Sequence, residues 1–432
     1  MTELSSRELQ SYIEAFQKAI VLHLDKLKDT DGAVFNYREI NLRSAIEKKL
    51  YFKYLNNQSA QLQFQSKGTV ILEENQAETS AITDLKRTLR KWRGTTAPSF
   101  NFTGKKVVLC NNPKHEKYAK HVLGNEADTD YLRAFDKVFE TLLKSQSPDR
   151  KLASSYMWQH HFDVLIECEA MLLLTDQFEG AWVLVEGNTM RDTLLSLVSR
   201  AQEGSTTCLQ YGWAFNVHLG FQRMEHSTYL SWADLFSDAL QPYNPNTTFI
   251  NAGHPALEAS SNTQKIKRSV SVIMQAPVGW ISQKSFDLFV EEACHLATQN
   301  WQVLVREHPA WPLSDSTIEQ LVNCGCTMVN NQEVSLDEQL AQTEYCMTIF
   351  SSVGFEASVK NNYALFAQFD MDINMLPNPD GSKWGQTFHT PEQFRSYMQS
   401  IGEKGPQEFE PLIATFGADS KDRITSFLSN IS

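Results

Sequence analysis

The 432-residue sequence lacks several features that would place it in common functional classes. It has no apolar run approaching the roughly 20 residues of a membrane-spanning helix. Its first residues have no apolar core of the kind that a signal peptide needs. The seven cysteines are odd in number and dispersed, which favours reduced thiols over a disulfide framework. We therefore expect a cytoplasmic protein, and we interpret Cys324-Gly325-Cys326 as a turn.

Motifs of several enzyme classes are also missing. The sequence contains no P-loop, no G-x-G-x-x-G and no G-x-S-x-G, which argues against P-loop hydrolysis, hydride transfer and serine hydrolysis. Asp370 and Asp372 alone are poor evidence for a metal site, so we expect a loop there and neither metal nor cofactor. The net charge of −12 argues against bulk nucleic-acid binding but leaves a local anion site open.

The length of the chain and the order of its apolar segments predict two domains with an extension. Residues 1–100 form a mainly helical extension, 101–243 a first Rossmann-like domain, 244–400 a second, and 401–432 a C-terminal helical tail. From about residue 101 strands and helices alternate, which predicts parallel βαβ units and an α/β fold with a cleft between two sheets. Within the first domain we also expect a strand around residues 233–236.

One stretch of the N-terminal extension is basic and amphipathic. Residues 85–93 read Leu-Lys-Arg-Thr-Leu-Arg-Lys-Trp-Arg. Such a stretch can contact an anionic membrane surface or a phosphorylated acceptor. The alternative, which we favour, is a solvated helix face.

Two predicted strand ends in the second domain deliver polar groups. One strand runs through Val303 to Val305 and stops at His308-Pro309, and the other stops at Ser351-Ser352 before a helix. Ligands bind outside the carboxyl ends of parallel strands, and helix N-termini favour anions. We predict a nucleotide phosphate between His308 and the serine pair, with Glu356 reaching a ribose. The alternatives are a structural histidine and plain helix capping by serine.

Two strand ends in the first domain are further candidates. Glu186 ends a strand and precedes Gly187, which lets the chain turn sharply. Its carboxylate could act as a general base or orient a sugar, and the alternative is a cap, which glutamate rarely forms. Gln210-Tyr211-Gly212 ends another strand, where Tyr211 or Trp213 could stack on a sugar. A packed strand end is the equal alternative.

The order of these short motifs resembles bacterial surface-polysaccharide glycosyltransferases of the GT-B arrangement. Glu186-Gly187, Gln210-Tyr211-Gly212, His308-Pro309 and Ser351-Ser352 look most like the branch that uses CMP-activated acidic sugars, namely sialyl-, polysialyl- and Kdo transferases. Two departures stand out. One acid rather than two precedes Gly187, and Tyr211 stands where many capsule enzymes have histidine.

The resemblance implies a role for each motif. Glu186 would be the catalytic acidic residue, and His308 would contact the CMP phosphate and assist its departure. The implied nucleotide-binding residues are His308, Pro309, Ser351, Ser352 and Glu356, and the implied acceptor-side residues are Gly187, Gln210, Tyr211 and Arg306. The implied partners are a nucleotide sugar, an oligosaccharide or glycolipid acceptor and the inner membrane surface as a peripheral contact, without nucleic acid.

Three functional hypotheses remain from the sequence. The first is transfer of Kdo or sialic acid from a CMP-sugar in capsule or lipopolysaccharide biosynthesis. The second keeps the fold with a UDP- or CDP-linked donor, as a hexosyl or glycerophosphate transferase or a UDP-sugar 2-epimerase. The third is a non-catalytic polysaccharide assembly protein.

Overall fold

A computed structural model describes most of the chain. It covers residues 6–30, 33–55, 95–124, 128–213, 217–257, 264–278, 280–371, 377–404 and 412–431, with single or paired positions at 57, 60–61, 64, 67, 70, 72, 83, 86–87, 373 and 375. The first elements are α1 (Ser6–Thr30), the short hairpin β1 (Asn36–Tyr37) and β2 (Ile40–Asn41), and α2 (Arg43–Leu55). Ile13, Phe16, Ile20 and Leu24 recur at helical spacing along α1 and are all buried.

The first sheet has six strands, all parallel. Its strands are β3 (Lys106–Cys110), β4 (Thr129–Arg133), β5 (Ala181–Val185), β6 (Thr206–Leu209), β7 (Thr228–Ser231) and β8 (Thr248–Asn251). Their order across the sheet is β4-β3-β5-β6-β7-β8. β3 and β5 are buried along their whole length, as strands covered on both faces must be.

Helices separate the strands of the first sheet. They are α3 (Pro113–Leu123), α4 (Lys137–Ser145), α5 (Ser155–His160), α6 (Phe162–Asp176), α7 (Met190–Ala201) and α8 (Asp234–Leu240). The expected strand at residues 233–236 is wrong, because β7 ends at Ser231 and α8 begins at Asp234. Phe236 and Leu240 are buried at a spacing of four, which suits a helix and not a strand.

The second sheet also has six parallel strands. They are β9 (Ile266–Ile273), β10 (Gln302–Arg306), β11 (Thr327–Met328), β12 (Thr343–Thr348), β13 (Tyr363–Ala367) and β14 (Gly385–Phe388). Their order is β11-β10-β9-β12-β13-β14, the doubly wound order of a Rossmann domain. The prediction of an α/β fold with two Rossmann-like sheets is therefore confirmed.

The helices of this second region follow the same alternation. They are α9 (Gln283–Thr298), α10 (Asp315–Asn323), α11 (Leu336–Gln342), α12 (Val353–Val359), α13 (Pro391–Lys404) and finally α14 (Gly417–Asn430). The expected turn after α10 is present, with Gly325 at φ +98°.

The chain packs into two compact units, each built around one of the sheets. The first-sheet unit comprises residues 14–212, 217–252 and 418–432, and the second-sheet unit comprises 1–13, 213–216 and 253–417. α14 therefore belongs with the first sheet, where Ile424 and Leu428 join the buried cluster of Val108 and Val185. The domain boundaries at residues 100, 243 and 400 and the cleft between domains stay predictions.

Most of the basic stretch at residues 85–93 lies outside the described residues. Of its cations, Lys86 and Arg87 are described and helical. Lys86 Nζ donates to the Trp158 carbonyl at 2.6 Å and lies over the Trp158 and Phe162 rings. Among the helices described, none has the length and apolar character needed to cross a membrane.

Each sheet has one point where the strand order reverses. In the first sheet it lies between β3 and β5, and in the second between β9 and β12. Ligands of open α/β sheets bind outside the carboxyl ends of the strands at such points. Glu186 directly follows β5, and the segment leading to Ser351 follows β12. The topology thus singles out these two edges as candidate sites.

Candidate functional site

The turn that follows β5 holds Glu186 in an unusual backbone conformation. Glu186 has φ +70° and Gly187 has φ +69°, so two successive residues occupy the left-handed region. Residues other than glycine adopt this region at a cost of about 1–2 kcal/mol. A Cβ at position 187 would lie 2.4 Å from His226 Nε2 and 2.6 Å from Cys208 Sγ, so only glycine fits there. Strain of this kind concentrates at functional sites.

His226 supports this turn from inside the protein. Its Nε2 lies 2.8 Å from the Gly187 carbonyl oxygen, which can only accept, so Nε2 carries the proton. The Ser196 hydroxyl lies 2.9 Å from Nδ1. Burial lowers the pKa of His226 to about 3, which keeps the ring neutral at ordinary pH. His226 is therefore a constant donor to the Glu186–Gly187 turn.

His115 lies against the Glu186 carboxylate. α3 begins directly after β3, with the Asn112 side chain accepting from the His115 amide at 3.0 Å and Pro113 at the first helical position. This places His115 Nε2 3.4 Å from Glu186 Oε2. The imidazole is 5% exposed and the carboxylate 27% exposed. The carboxylate is thus open to a substrate while the histidine backs it.

The two ring nitrogens of His115 have different surroundings. Nδ1 is buried and lacks a hydrogen-bond partner among the described residues. Nε2 faces the Glu186 carboxylate, which can only accept, so the Nε2–H is directed at Glu186.

The segment after β6 completes this group. The Tyr211 ring centroid lies 5.1 Å from that of His115, and a Cβ on Gly212 would lie 3.2 Å from Glu186 Oε1. Gln210 is buried, with its amide oxygen accepting from Trp232 N at 2.8 Å and its amide nitrogen donating to Gly212 O at 3.1 Å. Tyr211 and Gly212 thus border Glu186, while Gln210 holds their turn in place.

At the carboxyl edge of the second sheet, the residues after β10 fix the orientation of His308. The Ala310 amide donates to His308 Nδ1 at 3.1 Å, so Nδ1 accepts and the proton of the neutral ring is on Nε2. Pro309 lies between the two and closes the turn. The Trp311 ring, 47% exposed, lies 4.5 Å from the imidazole between centroids. The result is a histidine donor beside an exposed aromatic surface.

The serine pair differs from the expected capping geometry. Ser351 Oγ accepts from the Val353 amide at 3.3 Å, whereas Ser352 has helical dihedrals and donates its hydroxyl to Glu356 Oε1 at 3.0 Å. Burial raises the pKa of Glu356, and the hydrogen bond from Ser352 opposes that rise. Glu356 and Ser352 are therefore bound to each other within α12.

Gln275 connects the strands at the reversal point of the second sheet. Its side-chain oxygen accepts from Thr348 Oγ1 at 3.1 Å and from Phe350 N at 2.9 Å, which joins the ends of β9 and β12. Since β9 separates β10 from β12, about 10 Å lies between the strands that lead to His308 and to Ser351. That one phosphate contacts both His308 and Ser351 stays a prediction.

Arg306, predicted on the acceptor side, is held elsewhere. Its Nε donates to Gln339 Oε1 at 2.7 Å, and its guanidinium also donates to the Val334 carbonyl. Burial lowers the pKa of Arg306. The side chain thus connects β10 to α11. Within the described part of the chain, no group of three or more His, Cys, Asp or Glu side chains is placed to hold a metal ion. Asp372 lies outside that part.

Sequence reasoning missed His115, His226, Gln275 and Trp311. The position of His115 could have been found from the sequence. The Asn-Asn-Pro after β3 indicates the start of a helix, and the first turn of that helix lies at the same edge of the sheet as Glu186. Trp311 also lies two residues after Pro309, where the sequence could have suggested it. His226 and Gln275 act through contacts between distant parts of the chain, for which a single sequence has no signal.

Comparisons with known proteins give a distant structural likeness. No family model matches the chain, and no curated protein sequence is significantly similar to it. Similar solved structures include UDP-GlcNAc 2-epimerases from Methanocaldococcus jannaschii (10% identity, 75% of this chain and 99% of that one, TM-score 0.46) and from Neisseria meningitidis bound to UDP-GlcNAc (9%, 76% and 100%, 0.48). A third is the lipopolysaccharide outer core galactosyltransferase WaaB in its apo form (7%, 75% and 99%, 0.47).

Sequence identities and TM-scores this low do not establish an activity. The fold of this chain is therefore described from its two sheets alone. The resemblance to CMP-sugar enzymes therefore stays a prediction.

Proposed function

We propose that this chain is a nucleotide-sugar-dependent enzyme whose reaction is glycosyl transfer. The observation that supports it best is the presentation of Glu186 at the reversal point of the first sheet, with His115 Nε2 3.4 Å from its carboxylate. The backbone is strained there, and the carboxylate is partly exposed. Such an arrangement suits a general base better than a structural ion pair.

In this proposal Glu186 accepts the proton of a hydroxyl group on the acceptor, while the oxygen of that hydroxyl forms a bond to the anomeric carbon of the donor sugar. The bond between that carbon and the departing phosphate oxygen breaks at the same time. The His115 Nε2 proton orients the carboxylate. The negative charge that develops on the phosphate is stabilised by hydrogen-bond donors around the nucleotide, with no step that requires a metal.

The edge of the second sheet would bind the nucleotide. His308 presents a donor, Ser351 a hydroxyl, and Trp311 an exposed ring on which a base can stack. Stacking on an aromatic ring does not distinguish uracil from cytosine, so the proposal allows either a UDP- or a CMP-linked donor. The acceptor would be an oligosaccharide or glycolipid at the inner membrane surface, with the protein on its cytoplasmic side.

A UDP-sugar 2-epimerase is the second candidate. It is favoured by the same His115–Glu186 pair, because an acid–base pair can also remove and return a proton on a sugar. The two functions differ in their requirement for an acceptor. An epimerase converts the donor sugar without one, whereas a transferase releases nucleotide only as the sugar is transferred or hydrolysed.

Nucleotide binding is tested by thermal shift with CMP, CDP, UMP and UDP. A ligand at 100 times its dissociation constant raises the free energy of unfolding of the native state that binds it by about 2.7 kcal/mol. We expect at least one of the four to raise the midpoint, and His308→Ala to abolish that shift while Glu186→Gln retains it. No shift with any of the four, or an undiminished shift in His308→Ala, would count against the nucleotide site.

Catalysis is tested by incubating the protein with CMP- and UDP-sugars, with and without a glycan acceptor, and following products by NMR. We expect Glu186→Gln to lower turnover by about 10²–10⁴-fold, the usual contribution of a general base. Glu179→Gln is the matched control, since Glu179 is an exposed carboxylate just before β5 and should leave turnover unchanged. Full turnover in Glu186→Gln would remove that residue from the catalytic role.

A further inference from the structure

The second-sheet unit contains an open depression, called the cavity below, at the edge opposite to the proposed nucleotide site, and Arg268 and Arg395 on its rim are exposed. Its volume is about 390 Å³, within the range of small-molecule sites. Arg268 at the start of β9, the C-terminal part of α9, and Met398 on α13 line it. From Arg268 to the carboxyl end of β9 the strand extends for about 17 Å, at its usual rise per residue. One small ligand cannot occupy both edges.

The ionisable side chains that line this cavity are of one sign, although Glu291 and Glu392 lie beside Arg395. The described residues that line it include Arg268, Arg395 and His295 and no aspartate or glutamate. In a chain with a net charge of −12, a cavity whose ionisable lining is entirely basic is a local exception. The field in the cavity therefore favours an anion.

The nearest carboxylates are already engaged. Glu292 is fully buried and receives Arg395 Nε at 3.0 Å together with Arg395 Nη2. Glu344 accepts from the Arg268 backbone amide at 2.8 Å. Neither carboxylate neutralises the Arg268 guanidinium.

Arg268 keeps donors available for a ligand. Its Nη2 donates to the Gln299 carbonyl at 2.9 Å, and its guanidinium lies 5.3 Å from the Trp301 ring centroid. Among the described residues, Nε and Nη1 of Arg268 and Nη1 of Arg395 have no acceptor. Arg268 also has φ +55° inside β9, beside the register shift between β9 and β12. The strand thus departs from regular geometry where this side chain leaves it.

We propose that this cavity binds a small anionic metabolite through a phosphate or carboxylate group. The guanidinium groups of Arg268 and Arg395 receive the anion, and the body of the ligand lies against the exposed Gln299 and Gln399. The cavity volume fits a molecule of a few carbon atoms. The proposal is independent of the function proposed above, because none of its residues belongs to the nucleotide edge.

The test is equilibrium dialysis of the full chain against radiolabelled inorganic phosphate and glycerol 3-phosphate. We expect saturable binding of one equivalent that His308→Ala and an excess of UMP do not remove. Arg268→Gln should weaken phosphate binding at least tenfold, because the substitution removes the guanidinium group. The glutamine amide can still reach the Gln299 carbonyl. Lys284→Gln, which removes an exposed cation of the same unit outside the cavity, should bind as the wild type does.

Three results would overturn the proposal. The first is no binding by the wild type at about 10 mM ligand, tenfold the dissociation constant of a millimolar site. The others are complete displacement by UMP and undiminished binding by Arg268→Gln. If Arg268→Gln fails to fold, His295→Gln serves instead, with at least a threefold weakening expected. A soluble His295→Gln protein with wild-type affinity would then refute the site.

Discussion

At the scale of single residues, the Glu186–Gly187 turn links function to strain. Glu186 holds a left-handed conformation that glycine adopts without cost, and the Leu209 carbonyl and His226 keep it there. A protein under selection for stability alone would favour glycine at position 186. That a carboxylate remains in this conformation is the strongest residue-scale support for its role.

This trade-off predicts that Glu186→Gly stabilises the protein while it abolishes turnover. Removing the left-handed strain should raise the free energy of unfolding by about 1 kcal/mol. Glu203→Gly, at φ +62° and exposed, is the matched control and should gain similar stability with unchanged activity. Denaturant unfolding and turnover are measured together. A destabilised Glu186→Gly would show that the glutamate side chain stabilises the fold.

Gly187→Ala should have the opposite effect on stability. The added Cβ meets His226 Nε2 and Cys208 Sγ, and φ is positive, so we expect a loss of about 2–4 kcal/mol. Turnover should fall with it, whereas the nucleotide-induced thermal shift should persist. An unchanged unfolding midpoint would mean that the turn relaxes freely.

The buried histidines predict an acid-sensitive first-sheet unit. Burial lowers the pKa of His226 and of His218 to about 3, so between pH 6.5 and 3 the unfolded chain binds protons that the folded one does not. Stability is therefore full above about pH 6.5 and falls with acidification, by at most about 1.4 kcal/mol per pH unit for each histidine. Urea unfolding at pH 7, 6, 5 and 4 measures the slope. His226→Gln should lower the slope of stability against pH. An unchanged slope would show that His226 does not cause the loss of stability in acid.

At the scale of elements, the N-terminal helices support the first-sheet unit. Lys48 of α2 is buried and donates to the carbonyls of Gly220 at 2.7 Å, Gln222 at 3.1 Å and Leu219 at 3.4 Å. The His218 ring stacks on that of Tyr51 at 4.6 Å. α2 thus fixes the loop between β6 and β7 by satisfying its carbonyl groups.

Lys48→Met should destabilise this unit by about 1–3 kcal/mol, because it leaves those buried carbonyls without a donor. The neighbouring Lys49→Met is the control. Lys49 pairs with a partly exposed Asp163 at 2.7 Å, and a surface pair contributes about 0–1 kcal/mol. Equal losses in the two variants, measured by denaturant unfolding, would remove the special role of Lys48.

The sequence predicted elements well where local pattern decides them. The buried strands and the polar residues at their ends follow from apolar runs and stop signals, and both sheets contain them. The prediction of a strand at residues 233–236 was wrong because the apolar residues of so short a segment fit the period of a helix as well as that of a strand. The hydrogen bond from the Ser352 hydroxyl to Glu356, in place of the alternative of plain capping, has no signal in the sequence, and the predicted roles of both residues in nucleotide binding stay predictions.

At the scale of the whole molecule, α14 joins the first-sheet unit although it follows the second in the chain. Ile424 and Leu428 are buried with Val108 and Val185. No local signal assigns a C-terminal helix to a distant sheet, so the sequence predicted a separate tail. Only the long-range packing decides the matter.

Removal of residues 418–432 should therefore destabilise the first-sheet unit alone. Each of the two buried side chains contributes about 2–5 kcal/mol to the free energy of unfolding, which is the usual cost of truncating such residues to alanine. Calorimetry should show one transition lowered, while the nucleotide-induced shift of the other unit survives. Leu428→Ala is the milder variant, and Ser429→Ala on the exposed face is its control. A lowered second-sheet transition would contradict the assignment of α14.

The membership of α14 also orders the events of biosynthesis. The continuous run 253–417 can fold as soon as it leaves the ribosome, but the first sheet, made earlier, lacks Ile424 and Leu428 until the ribosome has passed those residues. At 5–20 residues per second this leaves the first sheet incomplete for about 10–40 s. During that interval the apolar surface that α14 later covers is open to chaperones, and the sheet that is made first becomes the one that is finished last.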